Sequence, residues 1–107
     1  MPQNIRNILL ELKKGLTEIF GESLKAVILF GSYARGDAHP PDSDIDVMIV
    51  LKGKVNFSES DNRCSKFISS LCLKNDVLIS WRFTSDAYLA QSGAPLMINI
   101  RKEGVTI

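Results

Sequence analysis

Cysteine and histidine are scarce in this chain, which has two cysteines and one histidine among 107 residues. Cys64 and Cys72 are eight residues apart, so on one helix their Cα atoms would be separated by about 12 Å, whereas a disulfide spans at most roughly 7 Å. We therefore interpret both as free thiols in a reducing compartment. The lone histidine and the lack of a Cys-x-x-Cys pair argue against a zinc site.

Long apolar runs and an excess of one charge are also missing. No segment approaches the roughly 18 apolar residues of a membrane span, and the N-terminal residues lack the apolar core of a signal peptide. With 13 basic and 12 acidic residues the formal net charge is +1, so no overall field favours a nucleic acid or a membrane as partner. We expect a single cytoplasmic domain over residues 1–107.

Helical and strand patterns alternate along the chain. Apolar residues three and four apart indicate helices, whereas short β-branched runs bounded by turn residues indicate strands. The elements predicted in this way are a helix over 3–20 ended by Gly21, strands over 24–30 and 44–51, and a helix over 59–73 capped by Ser58. They continue with a strand over 76–83, a short turn of helix capped by Thr84 or Ser85, and a helix from Pro95 to about Lys102 stopped by Gly104.

The connections between the strands predict the topology. The helix between the second and third strands favours a parallel pair, because parallel neighbours need a long crossover. The shorter turn after the first strand fits an antiparallel pair. The fold class is therefore α/β (α+β), a small mixed sheet of about three strands flanked by helices, in which the end of the first strand meets the beginnings of the other two.

Residues 31–46 are the most informative part of the sequence. Gly31 and Ser32 follow a buried strand and precede a predicted helical turn, where a backbone without a side chain and a hydroxyl can approach phosphate oxygens. Asp44 and Asp46, two apart on a strand, point to the same face. They could be turn and strand-cap residues, but paired carboxylates beside a phosphate cradle also suit magnesium-assisted phosphoryl or nucleotidyl transfer.

Two further residues extend this candidate site. Arg35 lies one helical turn after Ser32, so both side chains can face the same phosphates. Asp76 begins the third predicted strand, and the predicted topology brings it to the edge that carries Asp44 and Asp46. Its alternative interpretation is a turn residue after the preceding helix.

The motif resembles that of the DNA polymerase β-like nucleotidyltransferases, in which Gly-Ser is followed, about ten residues later, by Asp-x-Asp. Gly-Ser-Tyr-Ala-Arg-Gly-Asp and Asp-Ser-Asp-Ile-Asp-Val are similar to the minimal nucleotidyltransferases, antitoxin partners of HEPN-domain ribonucleases. Eleven residues separate Ser32 from Asp44, one more than is usual, and we interpret Pro40-Pro41 as the insertion.

The resemblance implies a nucleotidyltransferase in which Asp44, Asp46 and Asp76 bind two Mg²⁺ ions, with Asp76 as the third, catalytic carboxylate. Gly31, Ser32 and Arg35 would bind the nucleotide, ATP, whose AMP moiety would pass to a tyrosine of a HEPN toxin. A contact-only antitoxin and an aminoglycoside-like enzyme needing a second subunit are the alternatives. No direct nucleic-acid or membrane partner is expected, and both a homo-oligomer and a hetero-oligomer with the toxin stay open.

Overall fold

The computed structural model describes residues 1–40 and 42–107, so Pro41 of the predicted insertion lies outside the described residues. Five α-helices, a 3₁₀ turn over Gly21–Ser23 and four strands follow one another in these residues. The α-helices and strands are α1 (Gln3–Phe20), β1 (Leu24–Phe30), α2 (Ser32–Arg35), β2 (Ile45–Leu51), α3 (Phe57–Asn75), β3 (Ile79–Ser85), α4 (Asp86–Gln91), α5 (Pro95–Glu103) and β4 (Val105–Thr106).

The strands form one mixed sheet in the order β3-β2-β1-β4. As predicted, β1 and β2 are antiparallel, and β2 and β3 are parallel. The sheet has four strands because two residues after α5 pair with the middle of β1, where Ile28 lies beside Thr106. This short β4 was not predicted, since two residues carry no periodicity that a sequence pattern could reveal.

The helices divide between the two faces of the sheet. Odd-numbered β2 residues pack with the apolar stripes of α1 and α3, where Leu12, Leu16 and Cys64 are fully buried. Even-numbered residues such as Met48 and Val50 face a smaller cluster completed by Met97 and Ile100 of α5. The alternation of strand side chains therefore assigns each residue of β2 to one of two layers of different thickness. None of the described helices contains a stretch apolar enough to cross a membrane.

Helix α3 begins and ends two residues outside its predicted bounds. Its N-cap is Asn56, not Ser58, because the Asn56 side chain accepts a hydrogen bond of 3.0 Å from the backbone N–H of Glu59. Asp61, in the second turn of the helix, accepts a 2.8 Å hydrogen bond from Trp81 Nε1. At the other end Asp76 takes a left-handed conformation with φ of 51°.

This end of α3 also corrects the third predicted strand. The N–H groups of Asp76 and Val77 both bond to the carbonyl of Cys72, the second at 3.1 Å, so the backbone is still turning there. The strand begins at Ile79, not at Asp76. Trp81 and Phe83 of the strand pack against the larger core, as does Val77 just before it. Other predicted ends are confirmed, including Gly21 after α1, Ser85 before α4 and Gly104 after α5.

Candidate functional site

The turn after β1 has the geometry that the sequence predicted. Gly31 has a φ of 74°, which L side chains rarely adopt, and α2 starts at Ser32 directly after it. Gly36, with a φ of 84°, ends this single helical turn, and the N–H groups of Gly36 and Asp37 both bond to the carbonyl of Ser32 at 3.0 Å. The turn therefore fixes Ser32 and Arg35 on one short helix at the end of the strand.

Asp46 lies directly across the sheet from this turn. The antiparallel register pairs Phe30, the last residue of β1, with Asp46, the second residue of β2. Asp46 is half-buried, whereas Asp44, which precedes the strand, is exposed. Both carboxylates consequently belong to the same end of the sheet as Gly31, as predicted.

The contact between Gly31 and Asp46 is closer than any side chain at position 31 would allow. A Cβ atom added to Gly31 would overlap Oδ2 of Asp46 and would lie 3.2 Å from its Cγ. The missing side chain therefore brings the backbone of the turn directly against a carboxylate. A ligand that binds to the backbone of the turn therefore lies next to the Asp46 carboxylate as well.

The surroundings of Asp46 disfavour the charged form of its carboxyl group. Burial raises the pKa of the Asp46 carboxyl above its usual value, and the neighbouring carboxylate of Asp44 raises that pKa further. The guanidinium groups of Arg82 and Arg35 lower the same pKa, but their combined effect is smaller. A cation bound between the two carboxylates would relieve their repulsion. With phosphate oxygens and water completing the coordination, this pair fits a magnesium ion.

A pocket of about 370 Å³ connects the turn, the carboxylate and α5. Its polar lining comes from three elements: the turn after β1, the beginning of β2 and the outer side of α5. The residues that carry it are Gly31, Ser32, Arg35, Asp46, Asn99 and Glu103. Four of these six were predicted as site residues, and the structure brings all four together.

Arg35 also has a partner within its own loop. Its Nε lies 3.3 Å from Oδ2 of Asp37, and 48 % of the Arg35 side chain remains exposed. Such an exposed pair contributes little to stability. Arg35 can therefore exchange Asp37 for a phosphate at small cost.

Asp76 does not join this group. It lies in a separate depression with Tyr33, Ser43 and Ile45, and both Tyr33 and Ile45 belong to the layer of α1 and α3. Asp46 points toward the opposite layer. Over residues 1–40 and 42–107, no three histidine, cysteine, aspartate or glutamate side chains are grouped so that they could hold a metal ion. The predicted convergence of three carboxylates is thus not found.

The sequence-based prediction missed the contributions of α5 and β3. Asn99 and Glu103 are four residues apart and share one helix face, a spacing visible in the sequence. Ser80 and Arg82 belong to the face of Asp46 because the parallel register pairs Asp46 with Ser80 and Met48 with Arg82. The pairing of strands distant in sequence was needed to find them, so no local pattern indicated their position.

Comparisons with known proteins agree with this geometry. Residues 9–83 match the nucleotidyltransferase domain family. A protein of Methanocaldococcus jannaschii with the provisional name protein adenylyltransferase is 43 % identical over 76 residues, 71 % of this chain and 75 % of the relative. A second protein of that organism, with the same provisional name, is 41 % identical over 70 residues, 65 % of this chain and 63 % of the relative.

A solved structure shows the same fold. A crystal structure from Sulfolobus solfataricus, provisionally described as a nucleotidyltransferase, superposes with a TM-score of 0.67 at 25 % identity. The superposition covers 96 % of this chain and 80 % of the other. The matched sequence range contains the turn at Gly31, the carboxylates of Asp44 and Asp46 and most of β3, and the structural match extends over α5. The chain belongs to the nucleotidyltransferase domain family.

Proposed function

We propose that this protein transfers AMP from ATP to a hydroxyl group of a second protein, and that the acceptor is a tyrosine of a HEPN-domain toxin, which the modification silences. The observation that supports this most is the contact between the Gly31 turn and the Asp46 carboxylate. It joins a phosphate-binding backbone to a metal-binding side chain. The provisional name of the two relatives, protein adenylyltransferase, favours a protein acceptor.

The residues of the pocket would share the binding of the nucleotide. The hydroxyl of Ser32 would donate a hydrogen bond to a phosphate oxygen, and the guanidinium of Arg35 would form a charge-assisted pair with another. Asp44 and Asp46 would hold the magnesium ion that accompanies ATP. When bound, that ion would polarise the phosphate oxygens and stabilise the charge that develops on them.

The transfer itself is a single displacement at phosphorus. The acceptor oxygen attacks the α-phosphorus of ATP, and the bond from that phosphorus to the oxygen bridging to the β-phosphate breaks. Pyrophosphate leaves with the electron pair of the broken bond, and the acceptor hydroxyl gives up its proton to water at the open side of the site. This chain contributes by orienting the phosphates in line with the acceptor, an effect that depends on accurate positioning.

The size and openness of the site favour a protruding acceptor. A volume of about 370 Å³ is near the lower end of the roughly 300–1,000 Å³ typical of pockets for one small ligand. After a nucleotide binds, the walls described here leave no enclosed space for a second small molecule. An exposed loop of a partner protein could reach the α-phosphate from the open side.

Intact-mass spectrometry tests this proposal directly. The chain is incubated with ATP, magnesium and a HEPN protein, and each transfer should add about 329 Da, the mass of an AMP residue, to the partner. A stable complex without added mass would favour the contact-only antitoxin. Added mass on an aminoglycoside, with none on the protein, would favour the small-molecule alternative.

Asp76→Asn tests the third predicted carboxylate in the same assay. Because Asp76 lines a depression separate from the pocket of Asp46, we expect the variant to retain transfer within about twofold, as is usual for a substitution that touches no reacting group. Asp42→Asn, in the neighbouring loop, is the matched control. A loss of about a hundredfold or more, as expected when an essential electrostatic group is removed, would instead support Asp76 as the third, catalytic carboxylate.

A further inference from the structure

Strand β3 offers an unexpected set of side chains beside Asp46. Paired residues of parallel strands point to the same side of a sheet, so Ser80, opposite Asp46, shares its face, as does Arg82, opposite Met48. The strand nearest to Asp46 on this side therefore supplies a hydroxyl and a guanidinium. The family resemblance implied a carboxylate there.

Arg82 is free to bind a ligand. Its side chain is exposed, and across the described ranges its guanidinium takes part in neither an ion pair nor a hydrogen bond. It is nevertheless within electrostatic reach of Asp46, whose pKa it lowers. Arg35 acts on Asp46 from the side of β1, so two guanidinium groups flank the carboxylate.

These charges match one divalent cation better than two. A single magnesium ion is neutralised by the carboxylates of Asp44 and Asp46, and magnesium sites commonly use one or two carboxylates with substrate phosphates. Two ions about 3.5–4 Å apart would repel each other. Over residues 1–40 and 42–107 no third carboxylate is grouped with Asp44 and Asp46 to hold a second ion, so the phosphates alone would have to offset its charge. The positive charge of Arg82 would oppose a second ion still further.

We propose that the site binds one divalent cation through Asp44 and Asp46, and that Arg82 binds the β- and γ-phosphates of the nucleotide, where a second cation would otherwise neutralise them. This inference rests on the proposed function. It replaces the two-ion site implied by the resemblance with one ion and an arginine.

The number of ions can be counted with Mn²⁺ in place of Mg²⁺. The protein is titrated with Mn²⁺ in the presence of a non-hydrolysable ATP analogue, and bound ions are followed by electron paramagnetic resonance. We expect one bound ion without the spin coupling of two adjacent ions. A spin-coupled pair in the unaltered protein would overturn the proposal.

Ser80→Asp provides the complementary gain-of-function variant. It places a carboxylate opposite Asp46 and thereby completes a group of three, so a second Mn²⁺ and a spin-coupled spectrum should appear. Ser80→Asn, which adds a side chain of the same size without the charge, is the matched control and should keep one ion. If Ser80→Asp still binds one uncoupled ion, position 80 does not face the site and the argument from the register fails.

Arg82→Ala tests the phosphate contact by calorimetry. Affinity for the triphosphate analogue should fall about tenfold to a hundredfold, as for the loss of a charge-assisted hydrogen bond. Affinity for AMP, which lacks the two outer phosphates, should stay the same, and Arg82→Lys should restore part of the loss. Arg6→Ala, an exposed arginine on α1, is the control.

The outcomes separate this inference from the proposed function. If the unaltered protein binds no nucleotide, the proposed function fails and the inference fails with it. If it binds the triphosphate but Arg82→Ala binds equally well, or weakens AMP to the same degree, only the role of Arg82 is overturned.

Discussion

The two faces of the sheet differ in how completely they are covered. On one face the long helices α1 and α3, of 18 and 19 residues, bury most of the core, and Leu12, Leu16 and Ile68 are fully inaccessible. On the other face the short helices α4 and α5, of six and nine residues, contribute a small cluster. This cover leaves the end that carries Asp46 accessible.

The comparison shows that stability and chemistry reside in different layers. A thick apolar layer holds the strands in register, so the thin layer can tolerate a pair of repelling carboxylates. Every residue of the candidate pocket belongs to the thin layer or to the loop that leads into it. Functional sites commonly carry such unfavourable interactions, provided that a rigid scaffold compensates for them.

The largest effect should come from Asp46→Asn, which should remove the activity of the thin layer without weakening the stability that the thick layer provides. We expect transfer to fall at least about a hundredfold, as when an essential electrostatic group is removed. Stability without metal should be unchanged or higher, because the substitution removes one of two repelling charges. Rates of AMP transfer and thermal melting of the same samples test both. Transfer at the wild-type rate would contradict the assignment of Asp46 as a metal ligand.

The second largest effect is on stability and should come from a substitution in the thick layer. Leu12→Ala should reduce the free energy of unfolding by about 2–5 kcal/mol, whereas Met97→Ala on the thin layer should lie near the lower end of that range. Urea unfolding measures both. In the fraction that remains folded, Leu12→Ala should bind nucleotide normally. A larger loss for Met97→Ala would reverse the assignment of the two layers.

Gly31→Ala should lower both the stability of the fold and the affinity for the nucleotide. The added Cβ would have to displace the Asp46 carboxylate, and the positive φ adds backbone strain, of the order of 1–3 kcal/mol. Gly53→Ala is the control, because Gly53 has a similar φ of 71° but no atom within 4 Å of an added Cβ. Only Gly31→Ala should weaken nucleotide binding in addition to lowering the melting temperature. Equal nucleotide affinities in the two variants would contradict the close contact.

The smallest effect is the pH dependence of the free energy of unfolding. Burial and the neighbouring Asp44 raise the pKa of the Asp46 carboxyl above its usual value, so the folded protein binds the proton more tightly than the unfolded chain. The stability that this group contributes is therefore present below the pKa of the unfolded chain and is lost as the pH rises through the higher pKa of the folded protein. Asp46→Asn should therefore be more stable than the wild type near neutral pH, and the difference should shrink on acidification. Unfolding curves at several pH values measure it; a difference that grows toward acid would contradict the sign.

The sequence determined most of the elements and four residues of the site. Periodicity located α1, β1 and the core of β2, and the order Gly31-Ser32, Arg35, Asp46 was readable because these residues lie close along the chain around one turn. Helix ends were less accurate. Several residues near the start of α3 can act as a cap, and the one that does, Asn56, was two positions earlier than predicted.

Tertiary structure alone decided which distant residues complete the site. Asp76 was expected beside Asp46 because the predicted topology brings the beginnings of both strands to one edge. In the structure Asp76 is the left-handed cap of α3 and lines a separate depression with Tyr33 and Ile45. Arg82, Asn99 and Glu103 joined the site through strand register and helix packing. Local patterns fix which face a residue occupies within its own element, whereas the pairing of those faces depends on the burial of the whole core, to which every element contributes.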